Sequence, residues 1–431
     1  MNSELRLNLE VYMKRILSLL LVLCLLIPVF SFAELNEEDF SAEDVEEELL
    51  LDENGDQEDD EPETAGDAAD AEFDFSDLDD AALSAVDEDI DANSIDLSEL
   101  EINPNLPSNV INIMLIGVDS HNPVEKDDNG NVIHKNITGL ADTQIIVSIN
   151  KDTGEIKMAS VQRDSYVPIP GPTSQKQKIN MSFEIGTRRA AKVVEDPKNK
   201  DSLTPGGAAL AMRTINHNFE MNIQYCVVIN FSGLASIIDA LGGIDIDMKK
   251  IEAKGVNDYL KKAYKKPSKF TYDPTYDRKT RTSTRAKLEV KDGVQHCDGI
   301  QALTYARLRS LKGQNDFNRT DRQRHLLDLL MKKVLQDIDV SKLLDLIDTC
   351  VQYAYTNINA ETFMSLAGSL LSSGIMNRIG SSDSLFEQLQ IPMPGHFEYG
   401  TANGASVLCL NIPNHTKALH EFIYGSYYPA N

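Results

Sequence analysis

Cysteine is scarce in this chain of 431 residues, which contains five. Four of them follow residue 33, namely Cys226, Cys297, Cys350 and Cys409, and their spacing matches no metal-site pattern. An even number is compatible with disulfides in an oxidising compartment. Cys226 and Cys409 lie inside apolar runs, which are equally compatible with buried free thiols. The cysteines therefore indicate no metal centre and leave the disulfide state open.

Basic residues are missing from one long tract. Residues 34–101 contain 31 Asp and Glu and no Lys or Arg, whereas residues 102–431 carry a net charge of +3. Nearly all of the net charge of −27 thus lies in a tract that cannot collapse against its own repulsion. This distribution excludes an acidic enzyme surface and a nucleic-acid binder with a basic footprint along the whole chain. We predict an acidic disordered linker over residues 34–105, followed by one folded domain over residues 106–431.

The N-terminal segment has the pattern of an export signal. Lys14 and Arg15 precede an unbroken apolar run, Ile16–Ile27, and a small-residue site at Ser31-Phe32-Ala33 resembles a cleavage site. The apolar segment is also only slightly shorter than a membrane-spanning helix. Residues 1–33 are therefore either a cleaved signal peptide or a membrane anchor. Both interpretations place the remaining chain outside the cytoplasm, anchored to the cell membrane or secreted to the cell wall.

A strand and a hairpin open the folded part. Asn109–Val118, Thr143–Asn150 and Glu155–Val161 each have the composition of a buried strand. Lys151-Asp152-Thr153-Gly154 predicts a tight turn between the second and third strands. If Lys151 faces Gly154, paired residue numbers sum to 305, and Asp142 falls opposite Arg163. Asp142 and Arg163 are therefore expected at the same open edge of the sheet, and Asp119, at the end of the first strand, is compatible with either a turn residue or a site residue.

More basic groups follow along the chain. Gly206–Glu220 and Phe231–Leu241 are predicted helices, with the strand Gln224–Asn230 between them. Residues 249–291 are basic and turn-rich, which is typical of a solvated loop and compatible with contact to an anionic polymer. Asp298-Gly299 opens a predicted helix, Ile300–Tyr305, and an extended segment after it would carry Arg307 and Arg309. Arg319 and Gln323, four apart, share a face of the next predicted helix.

These side chains have the chemistry of a phosphate site. Converging guanidinium groups repel one another unless an anion neutralises them, and guanidinium is suited to bidentate phosphate contacts. The two carboxylates, Asp119 and Asp142, are able to hold a divalent cation. Together the arginines and aspartates indicate a phosphoryl-transfer site, in which a metal ion and several guanidinium groups bind the phosphates. Such a site does not require a nucleophile from the protein. A buried structural salt bridge between Asp142 and Arg163 is the competing interpretation.

Short motifs recur in a fixed order along the folded part, namely GVD at 117–119, ADT at 141–143, SVQRDSYVPIP at 160–170, KIN at 178–180, GG-I-D at 242–245, GVQHCDGIQALTYARLR at 293–309 and FNRTDRQR at 317–324. Their order resembles the LytR-CpsA-Psr family of cell-wall ligases. The resemblance implies a three-layer α/β/α sandwich over a central mixed β-sheet. It also implies transfer of a glycopolymer, such as teichoic acid or capsule, from a polyprenyl-pyrophosphate carrier to peptidoglycan, at the outer face of the cytoplasmic membrane.

The resemblance also implies roles for individual residues. Asp119 and Asp142 correspond to magnesium-binding aspartates, so Mg²⁺ is the expected cofactor. The pyrophosphate-binding set corresponds to Arg163, Arg307, Arg309, Arg319 and Gln323. Of these residues, Arg163, Arg307, Arg309 and Asp142 are the expected catalytic groups, and Asp164 is expected to orient its neighbour. The family commonly has arginine where this chain has Leu140, so one phosphate contact is missing or supplied elsewhere.

Two other functions use the same residues. A hydrolase would cleave the lipid pyrophosphate with water as the acceptor. A non-catalytic module would bind polyprenyl phosphate for regulation, and Leu140 favours that alternative. The sequence does not identify the glycopolymer.

Overall fold

The computed structural model describes most of the chain from Ile95 onward. The described residues are 95, 97–120, 125–127, 132–171, 174–265, 275–277, 279–308, 311, 322, 325–326, 329–330, 333, 352–359, 362, 365–366 and 387–430. The predicted signal or anchor segment and the acidic residues before 95 lie outside this range, as does Cys350. Within it, no helix is both long enough and apolar enough to cross a membrane.

Short strands and six α-helices alternate along the described chain. The strands are β1 (Val110–Val118), β2 (Glu125–Lys126), β3 (Val132–His134), β4 (Thr143–Asn150), β5 (Ile156–Val161), β6 (Tyr166–Pro168), β7 (Lys176–Lys178), β8 (Tyr225–Asn230), β9 (Ile244–Met248), β10 (Tyr276–Asp277), β11 (Thr282–Ser283), β12 (Gly293–Cys297), β13 (Tyr355–Thr356), β14 (Glu387–Ile391), β15 (Phe397–Ala402) and β16 (Ala405–Leu410). The helices are α1 (Met181–Ala190), α2 (Thr204–Phe219), α3 (Phe231–Ala240), α4 (Lys250–Tyr264), α5 (Gly299–Arg307) and α6 (Ile412–Tyr424). Two 3-10 turns, Leu97–Leu100 and Lys200–Ser202, complete the set.

A mixed six-stranded sheet forms the centre of the fold. Its order is β13-β8-β1-β4-β5-β14, with β1 parallel to β8, β5 parallel to β14 and the other neighbours antiparallel. β1 is apolar almost throughout because both faces of the sheet are covered. Ile113 and Leu115 pack with α3, α4 and α5 on one face, whereas Met114 and Ile116 pack with α1, α2 and α6 on the other. The predicted three-layer α/β/α sandwich over a mixed sheet is thus confirmed.

The predicted hairpin has the predicted register. Gln144 pairs with Val161 and Ile149 with Ile156, so paired residue numbers sum to 305. The turn over residues 151–154, closed by a hydrogen bond from the Asn150 N–H to the Glu155 carbonyl oxygen, sets this register, and a slip by one residue would turn the buried faces of β4 and β5 outward. Asp142 and Arg163 therefore extend from adjacent strand ends at the same edge.

Three predictions about individual segments were wrong. Residues 250–264, predicted as part of a turn-rich loop, form α4, because Ala253, Val256 and Leu260 recur at helical spacing and are buried beneath a basic outer face. Arg307 lies at the last position of α5 and not on an extended segment. Packing against the domain also begins before residue 106, since Leu100 is buried and its carbonyl oxygen accepts a hydrogen bond from Asn216 Nδ2.

Three described cysteines are free thiols. Cys226 and Cys297 are buried, and burial raises the pKa of each thiol to about 12. Cys409, on β16, is exposed. The interpretation of Cys226 as a buried thiol is therefore confirmed, whereas Cys409 is a thiol that is not buried.

Candidate active site

The two aspartates meet at one backbone carbonyl group. The N–H groups of Asp119 and Asp142 both donate to the carbonyl oxygen of Leu140, over 2.9 and 3.0 Å. Gly139 allows this close approach, because its φ is +129° and a Cβ there would lie 2.9 Å from the backbone oxygen of Asp119. The end of β1 and the start of β4 are thereby held together.

Asp142 is enclosed by donors on both of its carboxylate oxygens. Arg163 Nη1 lies 3.1 Å from Oδ2, and Asn180 Nδ2 donates to Oδ1 over 3.0 Å. Asn180 also links the two strand ends through its backbone, since its N–H donates to the carbonyl oxygen of Arg163 (3.3 Å) and its carbonyl accepts from Ala141 (2.9 Å). Asn180, in the segment that follows β7, therefore holds both members of the Asp142–Arg163 pair in place.

Asp164 holds the neighbouring cations in place. Its Oδ2 lies 3.5 Å from Arg163 Nε, and its Oδ1 accepts a hydrogen bond from Lys178 Nζ over 2.5 Å. Both contacts bind the Asp164 carboxylate to basic side chains. This geometry agrees with the orienting role expected for Asp164.

Burial sets the charge state of this cluster. Burial raises the pKa of Asp142, the Arg163 guanidinium opposes that rise, and the nearby carboxylate of Asp119 reinforces it. For Arg163, burial alone would lower the pKa, but the carboxylates of Asp142 and Asp164 outweigh it and raise the pKa. The guanidinium thus stays charged, and one cation is shared among several acidic groups.

Arg307 belongs to the same edge of the sheet. Val118, the residue before Asp119, pairs with Asn230 at the end of the parallel strand β8. The next residue, Phe231, begins α3, and the Arg307 guanidinium carbon lies 4.2 Å from the centroid of its ring. A cation over an aromatic face at this distance is stabilised by the ring quadrupole. Arg307 is therefore placed on the same side of the fold as Asp119, Asp142 and Arg163.

The remaining predicted phosphate ligands, Arg309, Arg319 and Gln323, lie outside the described residues. Their assignment stays a prediction. Leu140, which replaces the family's usual arginine, packs its partly buried side chain against the apolar cluster beneath α1 and α2. Its side chain therefore contributes to the core, while its carbonyl group organises the aspartates.

Asn180 and Lys178 are site residues to which sequence reasoning gave no role. Both lie in the KIN segment, which was noted only as part of the family resemblance. No spacing pattern predicts their contacts, because Asn180 reaches Asp142 across 38 positions of the chain and Lys178 reaches Asp164 across 14.

The residues of this cluster fit Mg²⁺. Asp119 and Asp142 supply carboxylates, and Asn180 Oδ1 is a buried oxygen that accepts no hydrogen bond from the described part of the chain. Mg²⁺ prefers oxygen ligands and is usually held by one or two carboxylates together with substrate phosphates and water. Among the described residues, no group of three or more His, Cys, Asp and Glu side chains could hold a metal ion by itself. Part of the coordination would therefore have to come from the substrate or from water.

Comparison with known proteins identifies relatives that match more than half of the chain. The chain is 24% identical over 221 residues to the polyisoprenyl-teichoic acid–peptidoglycan teichoic acid transferase TagV of Bacillus subtilis strain 168, covering 51% of this chain and 45% of TagV. It is 25% identical over 256 residues to the transferase of the same type named TagU from Oceanobacillus iheyensis, covering 59% of this chain and 61% of TagU. The matches thus span about half to three fifths of the length of these relatives.

A solved structure and a family model extend this likeness. The crystal structure of B. subtilis TagV is similar with a TM-score of 0.45 and 22% identity, covering 75% of this chain and all of that one. The model of the LytR_cpsA_psr family matches residues 79–408, which is most of the chain. The protein belongs to the LytR_cpsA_psr family.

Proposed function

We propose that this protein attaches a polyprenyl-pyrophosphate-linked glycopolymer of the teichoic-acid type to peptidoglycan at the outer face of the cytoplasmic membrane, with Mg²⁺ as cofactor. The observation that carries the proposal is the cluster at the sheet edge, where Arg163 binds Asp142 beside Asp119. Family membership and the relatives named as teichoic acid transferases support the same reaction. Peptidoglycan is the acceptor, and the lipid-linked glycan is the donor.

Arg163 and Arg307 bind the pyrophosphate in this proposal. Arg163 is anchored by two carboxylates and Arg307 by the ring of Phe231, so both guanidinium groups are held before substrate arrives. Preorganised cations lower the barrier of phosphoryl transfer because charge on the leaving oxygen grows in the transition state. Arg309, Arg319 and Gln323 would extend this set.

In the proposed reaction, one phosphorus–oxygen bond forms and another breaks. A hydroxyl oxygen of peptidoglycan attacks the phosphorus atom bonded to the glycan, and the bond from that phosphorus to the bridging oxygen breaks. Polyprenyl phosphate leaves with the bonding electrons, and the glycan is joined to peptidoglycan by a phosphodiester. The hydroxyl proton passes to a carboxylate of the aspartate pair, to which we assign the general-base role.

Asp119 and Asp142 would hold the metal, with the amide oxygen of Asn180 close to them. When bound, Mg²⁺ supplies a fixed positive charge that neutralises pyrophosphate oxygens and orients the leaving group. Asn180 also keeps the Asp142 carboxylate from rotating, since it donates to one oxygen while Arg163 donates to the other. Two fixed oxygens make the carboxylate a better preorganised ligand than an unrestrained one.

The test is a transfer assay with the full chain. Purified protein would receive a polyprenyl-pyrophosphate-linked glycan, peptidoglycan fragments and Mg²⁺, and the phosphodiester product would be measured by mass spectrometry. We expect transfer by the native sequence and a loss of about 100-fold or more in Arg163→Ala, because removing one well-placed donor costs on the order of 3 kcal/mol. Arg281→Ala, which removes an exposed arginine outside the site, is the control and should keep full activity.

Two other outcomes contradict the proposal. Release of polyprenyl phosphate and glycan phosphate without joining to the acceptor would show a hydrolase. Tight binding of the lipid without turnover in the presence of Mg²⁺ and peptidoglycan would show a non-catalytic binding module.

A further inference from the structure

A buried arginine–glutamate pair, Arg322 and Glu252, lies at the end of α5. The Arg322 side chain is buried, with 3% exposure, and belongs to the FNRTDRQR segment that also contains Arg319 and Gln323. Its Nη2 donates to the carbonyl oxygen of Leu308 over 2.5 Å, and its Nη1 lies 3.4 Å from Glu252 Oε1. Arginine is almost never fully buried unless it is paired, so this contact is a specific feature of the fold.

Leu308 is the point at which α5 ends. Arg307 is the last residue of the helix, and Leu308 leaves the helical conformation with φ −57° and ψ 120°. A hydrogen bond to the Leu308 carbonyl oxygen therefore fixes the peptide group at which the helix ends, directly after Arg307.

Glu252 gives the arginine a rigid support. It lies in the first turn of α4, where its Oε2 accepts a hydrogen bond from the N–H of Lys249 over 2.9 Å. Gly255, one turn later, lets α4 approach the same segment, because a Cβ there would lie 2.6 Å from a methyl carbon of Leu311 and 3.4 Å from one of Leu308. Helix α4 therefore packs closely against the segment that follows α5.

We propose that Arg322 and Glu252 form a positioning pair that holds the end of α5 and thereby positions Arg307 to bind the pyrophosphate. This inference rests on the proposed function of Arg307. Arg322 is not itself a phosphate ligand, because its guanidinium group is enclosed by Leu308 and Glu252 and is shielded from solvent.

The rival explanation is that the pair only stabilises the fold. Breaking a buried pair is destabilising in either case, whereas replacing both partners with neutral residues often restores stability. Positioning requires the guanidinium fork itself, since it must reach a carbonyl and a carboxylate at once. Stability and ligand affinity should therefore respond differently to the same set of variants.

The experiment measures affinity for geranylgeranyl pyrophosphate by isothermal titration calorimetry without metal, and unfolding by urea, on the full chain. The variants are Arg322→Lys, Glu252→Gln and the double variant Arg322→Met/Glu252→Gln. We expect each to weaken binding about tenfold, the lower end of the effect seen when a supporting contact of a metal ligand is lost. The double variant should regain most of its resistance to urea without regaining affinity.

A matched control pair lies on the other face of the sheet. Arg213 on α2 bonds Glu101 over 2.6 Å, so Arg213→Lys disturbs an arginine–glutamate pair remote from Leu308 and should leave affinity unchanged. Glu252→Gln keeps an acceptor in place and serves as the mild variant if the others fail to fold.

The outcomes separate the two proposals. If the native sequence does not bind the probe, the proposed function fails and the positioning role fails with it. If the native sequence binds, Arg163→Ala does not, and the folded Arg322 and Glu252 variants bind with native affinity, only the positioning proposal is overturned. Recovery of both affinity and stability in the double variant would overturn it as well.

Discussion

Arg163 neutralises a buried carboxylate, and its removal should therefore affect stability as strongly as function. The Asp142 side chain is 6% exposed, its Oδ2 lies 3.1 Å from Arg163 Nη1, and Asp119 lies close enough to raise the pKa of Asp142 further. Arg163→Ala leaves Asp142 as a buried negative charge beside a second one. Breaking such a pair costs about 3–5 kcal/mol, and we expect about 3 kcal/mol because one fifth of the Arg163 side chain reaches solvent.

A second substitution tests the cause of this loss. Asp142→Asn in the Arg163→Ala background removes the stranded charge while keeping an oxygen that accepts from Asn180 Nδ2. Most of the lost free energy of unfolding should return, although transfer activity should stay absent. The loss in Arg163→Ala alone should also shrink at acidic pH. The raised pKa of Asp142 favours its protonated form in the folded state, and protonation removes the charge.

The measurement is urea unfolding followed by circular dichroism at pH 7 and pH 5. Arg213→Ala is the matched control, since Arg213 has a similarly accessible side chain but pairs with Glu101, which is half-exposed. An exposed pair of that kind is worth about 0.2–1 kcal/mol. If Arg163→Ala loses no more than Arg213→Ala, or if Asp142→Asn restores nothing, the assignment of Asp142 as a buried charge held by Arg163 is wrong.

Three further substitutions test the backbone, the domain boundary and the C-terminal helix. Gly139→Ala should cost about 1–3 kcal/mol because of its positive φ, and it should lose more than Gly395→Ala, which also has a positive φ but open space around its Cβ. Equal losses would contradict the close approach at Gly139. Leu100→Ala should cost about 2–5 kcal/mol in urea unfolding, because this side chain is buried although it lies in the predicted linker; a change below about 0.5 kcal/mol, typical of a surface site, would show that it is not part of the core. Burial lowers the pKa of His415 and His420, so the unfolded chain binds more protons below about pH 6.5 and stability should fall as the pH drops, by at most about 1.4 kcal/mol per pH unit for each group. Substituting both with Gln should flatten the dependence of urea midpoints on pH between 7.5 and 5, and an unchanged slope would refute this account.

The parts of the site that were predictable follow from strand geometry. The turn Lys151–Gly154 fixed the register of β4 and β5, and the register in turn brought Asp142 opposite Arg163 across 21 residues of sequence. Alternation along a strand and the pairing across a hairpin are local rules, so they can be applied to a sequence without knowledge of the fold. The position of Asp119 beside them depends on the pairing of β1 with β4, which the hairpin register does not determine.

Other parts depend on contacts that no local pattern encodes. Asn180 reaches Asp142 only because the segment containing β6 and β7 folds back beneath the strand ends. Arg307 was expected on an extended segment, but α5 continues two residues further because Asp298 and Gln301 form a capping box and the helix packs against α3. The helix α4 was missed because its lysines dominate the composition of residues 249–265, although its buried residues keep helical spacing. In each case tertiary packing decided the outcome.

Leu140 positions the two aspartates through its backbone, while its side chain adds no positive charge to the cluster. The carbonyl oxygen of Leu140 holds the N–H groups of both aspartates, and neighbouring backbone groups of Ala141, Arg163 and Asn180 extend this frame. Backbone hydrogen bonds do not depend on the identity of the side chain, so leucine in place of the family's usual arginine leaves the aspartates in place. What the substitution removes is one cation for phosphate, and the remaining cations must then carry a larger share of the binding. Under the proposed function, the position of the metal ligands would therefore be set by the backbone, whereas phosphate binding would depend on each individual arginine.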